Sequence, residues 1–307
     1  MRYLLGSRFR GAFLGGLVGE TLAQSSQPKH PSAGNFAQSV VPGATSLIKL
    51  GKLDIDDWLE IYQQKITYLE PSKIIFATIP ISLFFHENPV KLHQNLLRVL
   101  KDWDSDLEIR DSTLAIGYAI AQSLTEKLHP QTLIPQIIAF IGETDTSIPQ
   151  NLLKVNNLLE QRAGLERVKT ELGSQGKLSN RIAIAFYYFL STLEDFSLAV
   201  LRSIRHEKIG QQYCGNVYCP NISTITAVLS GTYNGTTSIP VTWRLSLTRE
   251  LSQIPQVLEL ADALATTWSG VYKPGLNSQE FPNEESLMSN EKIPPCVYAA
   301  PRVIRAR

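Results

Sequence analysis

Glycines recur at every fourth position in two places along this chain. In "GAFLGGLVGE" (11–20) they are Gly11, Gly15 and Gly19, inside a run that otherwise reads as helix. Each glycine costs a helix interior roughly 1 kcal/mol against alanine, so a ladder of them has to be offset by close packing. A second ladder, Ala227, Gly231 and Gly235, lies in "AVLSGTYNG". Positions i and i+4 stack on one helix face, and two such flat stripes let helix backbones approach closely. The spacing predicts helices over 11–23 and 223–235 that are central, buried and in contact, with Gly15 or Gly19 near Gly231.

Helical periodicity dominates the rest. Apolar residues recur at spacings of three and four in 54–68, 89–101, 111–128, 130–141, 149–160, 178–193, 195–206 and 249–268. Asp54, Asp56 and Asp57 stand where an N-cap and first turn favour carboxylates. Ser72, Asn88 and Asp111 mark further helix starts. Strand-like runs are scarce; "IIFATIPISLFF" (74–85) is ambiguous, and Pro80 splits it. The expected class is therefore all-α. Ser, Pro, Gly and Gln between Gln24 and Ala44 predict a long loop. After Trp268 the periodic apolar face is lost, so 1–268 reads as one helical domain and 269–307 as an extended or disordered tail. Pro294, Pro295 and Pro301 pre-set an extended backbone there, with Val297, Tyr298, Val303 and Ile304 as anchors for docking and Arg302, Arg305 and Arg307 as steering charges.

A formal net charge of +1 gives no electrostatic case for nucleic acid. No apolar run reaches membrane-spanning length. Arg2, Arg8 and Arg10 precede Ala12 to Val18 as in a signal peptide, but the glycines and Glu20 favour a helix of the domain. Three cysteines (Cys214, Cys219 and Cys296) form no staple set, and the expected compartment is cytoplasmic. Cys214 and Cys219 are spaced C-x4-C without a second pair to complete a zinc site, and whether they pair with each other stays open. "DWDSDLE" (102–108) begins like a calcium loop but has Leu107 where glycine is needed and Thr113 where glutamate is needed. The five histidines form no ligand or nucleophile motif and read as surface or packing residues.

The two ladders also carry a resemblance. "RGAFLGGLVGETLA" (10–23) is similar to the opening helix of the ADP-ribosylglycohydrolase family, the type that includes the dinitrogenase reductase-activating glycohydrolases. "ITAVLSGTYNGTTSIPVTW" (225–243) resembles the family's closing signature, with Gly231, Gly235, Ile239, Pro240 and Trp243 at its offsets. "SLIKLGKLDIDDWLEIYQQK" (46–65), "PSKIIFATIPISLFF" (71–85) and "LEDFSLAVLRSIRHEKIG" (193–210) follow in family order, so the likeness spans residues 8 to 268. Trp103 stands where the family commonly has a Thr-His pair. The resemblance implies a compact orthogonal helix bundle whose relatives hydrolyse ADP-ribose linkages with two magnesium ions.

Two acidic loop motifs supply the magnesium ligands in that family. The first falls near Asn35, Phe36 and Ala37, yet no Asp or Glu occurs from Thr21 to Leu53. The second falls on Tyr218, Cys219, Pro220 and Asn221, and again no carboxylate occurs from Lys208 to Arg249. Magnesium needs charged oxygens in near-octahedral array, and Asn35, Asn221 and Ser223 offer neutral ones. The expectation is a degenerate member without magnesium or any other cofactor. Its vestigial cleft comprises Glu20, Asn35, Phe36, Tyr218, Asn221 and Ser223, with no catalytic residue. Phe36, Tyr213 and Tyr218 point to a cleft filled by its own aromatics or used for stacking. Such a chain reads as a pseudoenzyme, a scaffold kept for contact with an unidentified protein partner. The alternative is a hydrolase of an ADP-ribose-type linkage working without the binuclear centre, with Glu20 or Asp195 as acid–base.

Overall fold

Helix follows helix wherever the chain is described. The computed structural model describes residues 4–24, 35–65, 71–103, 106–173, 177–210, 220–250 and 254–271. Its elements are α1 (Leu5–Gln24), α2 (Asn35–Leu50), α3 (Ile55–Lys65), α4 (Pro71–Ala77), α5 (Ile79–Phe84), α6 (Pro89–Asp102), α7 (Leu107–Leu124) and α8 (Leu133–Ile141). They continue with α9 (Ile148–Glu160), α10 (Leu165–Leu172), α11 (Leu178–Ser191), α12 (Phe196–Gly210), α13 (Ile222–Asn234), a 3-10 turn (Thr236–Ser238), α14 (Val241–Glu250) and α15 (Ile254–Ser269). No strand occurs among the described residues, and the all-α class holds. None of these helices is long and apolar enough to cross a membrane.

The glycine ladders meet. α1 and α13 run antiparallel, and their small residues face each other rung by rung: Ser7 with Gly235, Gly11 with Gly231, Gly15 with Ala227, Gly19 with Ser223. A Cβ added at Gly11 would stand 2.1 Å from the Gly231 carbonyl oxygen, and one added at Gly231 would stand 2.1 Å from that of Gly11. At Gly15 the Ala227 oxygen would be 2.3 Å away, and at Gly19 the Ser223 oxygen 2.6 Å. Only hydrogen fits at these points, so the pairing suits Cα–H···O contacts, worth about 0.5–1 kcal/mol each. Gly15 lies near Gly231 as expected, its Cα 3.4 Å from a Cβ added there, while Gly11 faces Gly231 directly and the antiparallel direction carries Gly19 to Ser223.

Burial follows from that contact. Gly11 through Glu20 are ten consecutive buried residues in α1, and Ile222 through Thr232 are eleven in α13. Both helices are therefore apolar or small all round, as central helices must be. α15, α12, α14 and α2 pack on α1, while α12, α11 and α7 pack on α13. Buried Arg8 ties α1 to the end of α7, donating to the Ser123 carbonyl and to Glu126 (3.3 Å). Arg10 pairs with Asp262 of α15.

Some local expectations are corrected. The proposed loop 24–44 is helical from Asn35 onward, because α2 tolerates Pro42 in its interior. The buried Tyr62 hydroxyl enters there, accepting from the Gly43 amide (3.1 Å) and donating to the Ser39 carbonyl. Those two groups pair directly in an unbroken helix, so the side chain satisfies what the proline disturbs. The run 74–85 breaks at Thr78, and Pro80 sits in the first turn of α5, where its missing amide is harmless. Asn88 caps α6 through the Lys91 amide (3.0 Å). Asp111 does not start a helix: α7 begins at Leu107 with Asp106 as its cap. Asp111 is fully buried in the next turn, accepting from Arg110 (2.8 Å), Thr144 (2.7 Å) and Thr146 (2.6 Å). α10 and α14 were not anticipated from periodicity. The tail beyond Val271 lies outside the described residues, as do Tyr213, Cys214, Tyr218 and Cys219.

Because backbone oxygens fill the space, even one methyl group at the zipper forces the helices apart. Gly231→Ala is expected to lower stability by about 1–3 kcal/mol and Gly231→Leu by more. Gly6→Ala, on the same α1 but with nothing within 4 Å of the added Cβ, should be neutral or gain up to about 1 kcal/mol from helix propensity. Chemical denaturation of the three variants checks the contrast.

Candidate functional site

The Gly19·Ser223 rung carries the C-terminal end of α1 against the N-terminal turn of α13. Described edges of the two acid-free windows, the start of α2 and the start of α13, lie at that junction. Glu20, the next residue on α1, is 6% exposed, and its Oε1 accepts from the Phe36 amide at 3.1 Å. It thus sits at the amide-rich start of α2, where unpaired N–H groups and the helix dipole favour a carboxylate.

Phe36 is fully buried with its ring over Gly16. A Cβ on Gly16 would meet the ring at 2.1 Å, and Phe76 closes the other side at 5.3 Å between ring centres. Gly16 was not singled out from the sequence; the Gly15–Gly16 pair is the sign that a second face of α1 is also shaved. Asn35 opens α2. Tyr218 lies outside the described residues.

Across the junction, Asn221 holds the N-cap position of α13, but its side chain makes no capping bond. The cap comes from another helix. Glu207 of α12 accepts from the Ile222 amide (2.7 Å) and from Arg181 Nη2 (2.8 Å) with Oε1, and from the Ser223 hydroxyl (2.8 Å) with Oε2. Arg181 of α11 also donates to the Pro220 carbonyl at 2.9 Å, closing the group. The Glu207 side chain is 6% exposed and that of Arg181 15%.

Sequence reasoning missed Glu207 because it stands one residue before the acid-free window. A signal was present: an acid in the last turn of a helix opposes the dipole, so it has to serve something other than α12. Beside it, the buried His206 ring accepts or donates at the Tyr188 hydroxyl (2.9 Å). Burial lowers its pKa to about 4, with Lys169 and Arg181 pushing the same way, so the imidazole is neutral at pH 7. His86 is likewise buried and lowered to about 4 by desolvation, packed between Phe9 and Trp268.

The acid at the start of α13 is already fully engaged. Both oxygens of Glu207 are already bound to a guanidinium, an amide and a hydroxyl. The Thr224 hydroxyl in the same turn is buried without a partner, but a neutral oxygen does not balance divalent charge. No group of three or more His, Cys, Asp or Glu able to hold a metal occurs among the described residues. Asp195 is no neighbour of the junction. It caps the start of α12 by accepting from the Leu198 amide (2.9 Å), about 18 Å of helix from Glu207.

The core of this all-α chain is an antiparallel glycine-zippered helix pair with a polar junction at the start of α13. The profile of the ADP-ribosylglycohydrolase family matches residues 74–274, about two thirds of the chain. The chain belongs to that family. The match contains α13 and the I-P-x-x-W segment but not α1, which joins the site through the zipper. No curated protein matches the chain.

The closed group around Glu207 sets a test. Glu207→Ala leaves the Arg181 guanidinium without its counter-ion and the buried Ile222 amide without an acceptor, a change that typically costs about 3–5 kcal/mol. A loss of that size in urea denaturation marks Glu207 as a structural cap. A variant as stable as the parent, or more stable, would mark it instead as an acid held for chemistry.

Proposed function

We propose that this chain is a non-catalytic member of the ADP-ribosylglycohydrolase family that has lost the two-magnesium site and serves as a binding or scaffold protein. The observation that carries this reading is the fate of the acids. Both loop windows lack carboxylates, and the glutamates at the junction accept from the first amides of α2 and α13. The ring of Phe36, packed on Gly16, supports a cleft filled from within. The Glu20 and Glu207 carboxylates act as helix caps, so the chain needs no magnesium to fold.

Calorimetric titration of the full chain with magnesium is expected to give no isotherm for a micromolar two-ion site. Such an isotherm would overturn the reading. Incubation with ADP-ribosyl-arginine or O-acetyl-ADP-ribose should show no turnover above buffer. Turnover without added metal would establish the alternative hydrolase, with Glu20 as its acid–base.

On this reading 1–268 is the folded domain, and 269–307 is the segment kept for contact with a protein partner. Deleting 270–307 is expected to abolish partner recovery in a pull-down, or to lower the melting temperature, while leaving helical circular dichroism intact. A truncated chain equal to the full one in recovery and melting temperature would reduce the tail to an ordinary terminus.

A further inference from the structure

Seven described helix ends carry a residue with left-handed backbone. Five of them use glycine: Gly51, Gly142, Gly173, Gly235 and Gly270. The others are Glu126 after α7 (φ 59°) and Arg162 after α9 (φ 48°). Both close a helix in the same way, with the left-handed amide bonded three residues back and the following amide bonded five back. Glycine is the residue this position favours, so a side chain there calls for a reason. For Glu126 the reason is visible: it pairs with buried Arg8. The Arg162 side chain has no hydrogen bond or ion pair to any described residue.

Arg162 lines a cavity of about 520 Å³ between the ends of α9 and α11 and the middle of α12. A second guanidinium, Arg202 of α12, lines it as well and is also without a hydrogen-bonded or ion-paired partner among the described residues. The opposing charge is Glu160, whose Oε1 accepts from Asn156 (2.7 Å) rather than from either arginine. The Tyr187 hydroxyl donates to the Ala163 carbonyl at 2.6 Å, pinning the turn that presents Arg162. Arg202 stands close enough to this tyrosine to oppose the rise that burial gives its pKa. Leu159 and Leu190 complete an apolar wall.

We propose that this cavity binds a small molecule bearing a phosphate or carboxylate group, held by Arg162 and Arg202, with its remainder against Leu159, Tyr187 and Leu190. Two free guanidiniums on a rigid wall match the oxyanion forks of either group, and the volume is that of an ordinary small-ligand site. The strained backbone at Arg162 is retained because the side chain is needed there. The larger depression of about 600 Å³ lined by Lys52, Arg98 and Lys101 differs, since Asp54 and Asp56 share it and Lys52 is paired with Asp54. The proposal is independent of whether the chain hydrolyses any ADP-ribose linkage.

The test uses calorimetry on the full chain with phenyl phosphate and phthalate as probes, one for each oxyanion source. Saturable binding of at least one is expected, and the tighter of the two names the source. Arg202→Gln should weaken it at least about tenfold. Arg162→Gly should weaken it similarly while leaving the melting temperature of the free protein unchanged or raised, because glycine relieves the left-handed backbone. Loss of binding then cannot be ascribed to unfolding. Failure of both probes to bind at millimolar concentration would overturn the proposal. So would undiminished affinity in either variant, which would place the anion elsewhere, as at Lys52, Arg98 and Lys101.

Discussion

The carbonyl oxygens of Gly11 and Gly231 each occupy the space where the other residue's side chain would be. A contact of this kind has almost no tolerance, because backbone atoms cannot change rotamer to relieve a clash. Sliding α13 by one residue would bring Thr232 and Val228 into the places of Gly231 and Ala227, and the first of these admits only hydrogen. The two helices are thus locked in a single antiparallel register by sterics, beyond what apolar burial supplies. Everything packed on them inherits that register, including the α15 and α7 contacts that Arg10 and Arg8 make from the same helix.

The junction at the end of the zipper follows from the same geometry. Once Gly19 meets Ser223, the last turn of α1 and the first turn of α13 are held side by side, and the amides at the start of α13 need acceptors. An acidic loop could supply them and still have oxygens to spare for cations. Here the loop windows carry no acid, and Glu207 reaches in from α12, its charge balanced by Arg181. A carboxylate so used is committed: releasing it would leave Arg181 without its counter-ion and the buried Ile222 amide without an acceptor. The start of α2 is served in the same manner by Glu20. The starts of α2 and α13 are thus both served by acids that cap helices.

Much of this was legible in the sequence, and the parts that were not share a cause. The ladders could be read because a four-residue spacing and the helix period coincide, so a linear pattern maps onto one face. The pairing of the two stripes followed, though not its register, which depends on chain direction. The helix through Pro42 was not legible: Ser, Pro and Gly compose a loop on local grounds, and the compensating Tyr62 hydroxyl is donated from α3. Phe36 was marked for the cleft, but the glycine that receives its ring, Gly16, was hidden beside the ladder. Glu207 escaped because a search for ligands along a loop assumes that they are local in sequence. Each omission is a tertiary partner supplied from a different helix.

Departures from local backbone rules carry information of that same tertiary kind. A helix that ends on a left-handed glycine says only that the chain turns. One that ends on a left-handed glutamate or arginine says that the side chain matters more than the strain of roughly 1–3 kcal/mol at such a site. At Glu126 the accounting closes inside the molecule, since Arg8 of the central helix receives the carboxylate and is itself almost wholly buried. Arg8 in turn anchors α1, so the strained end of α7 contributes to holding the zipper in place. The same backbone solution at Arg162 has no such internal counterpart among the described residues, although the turn around it is fixed by Tyr187. A fold that spends close packing on a rigid centre can support a strained turn at its periphery, and the side chain presented there is directed outward into a cavity rather than back into the core.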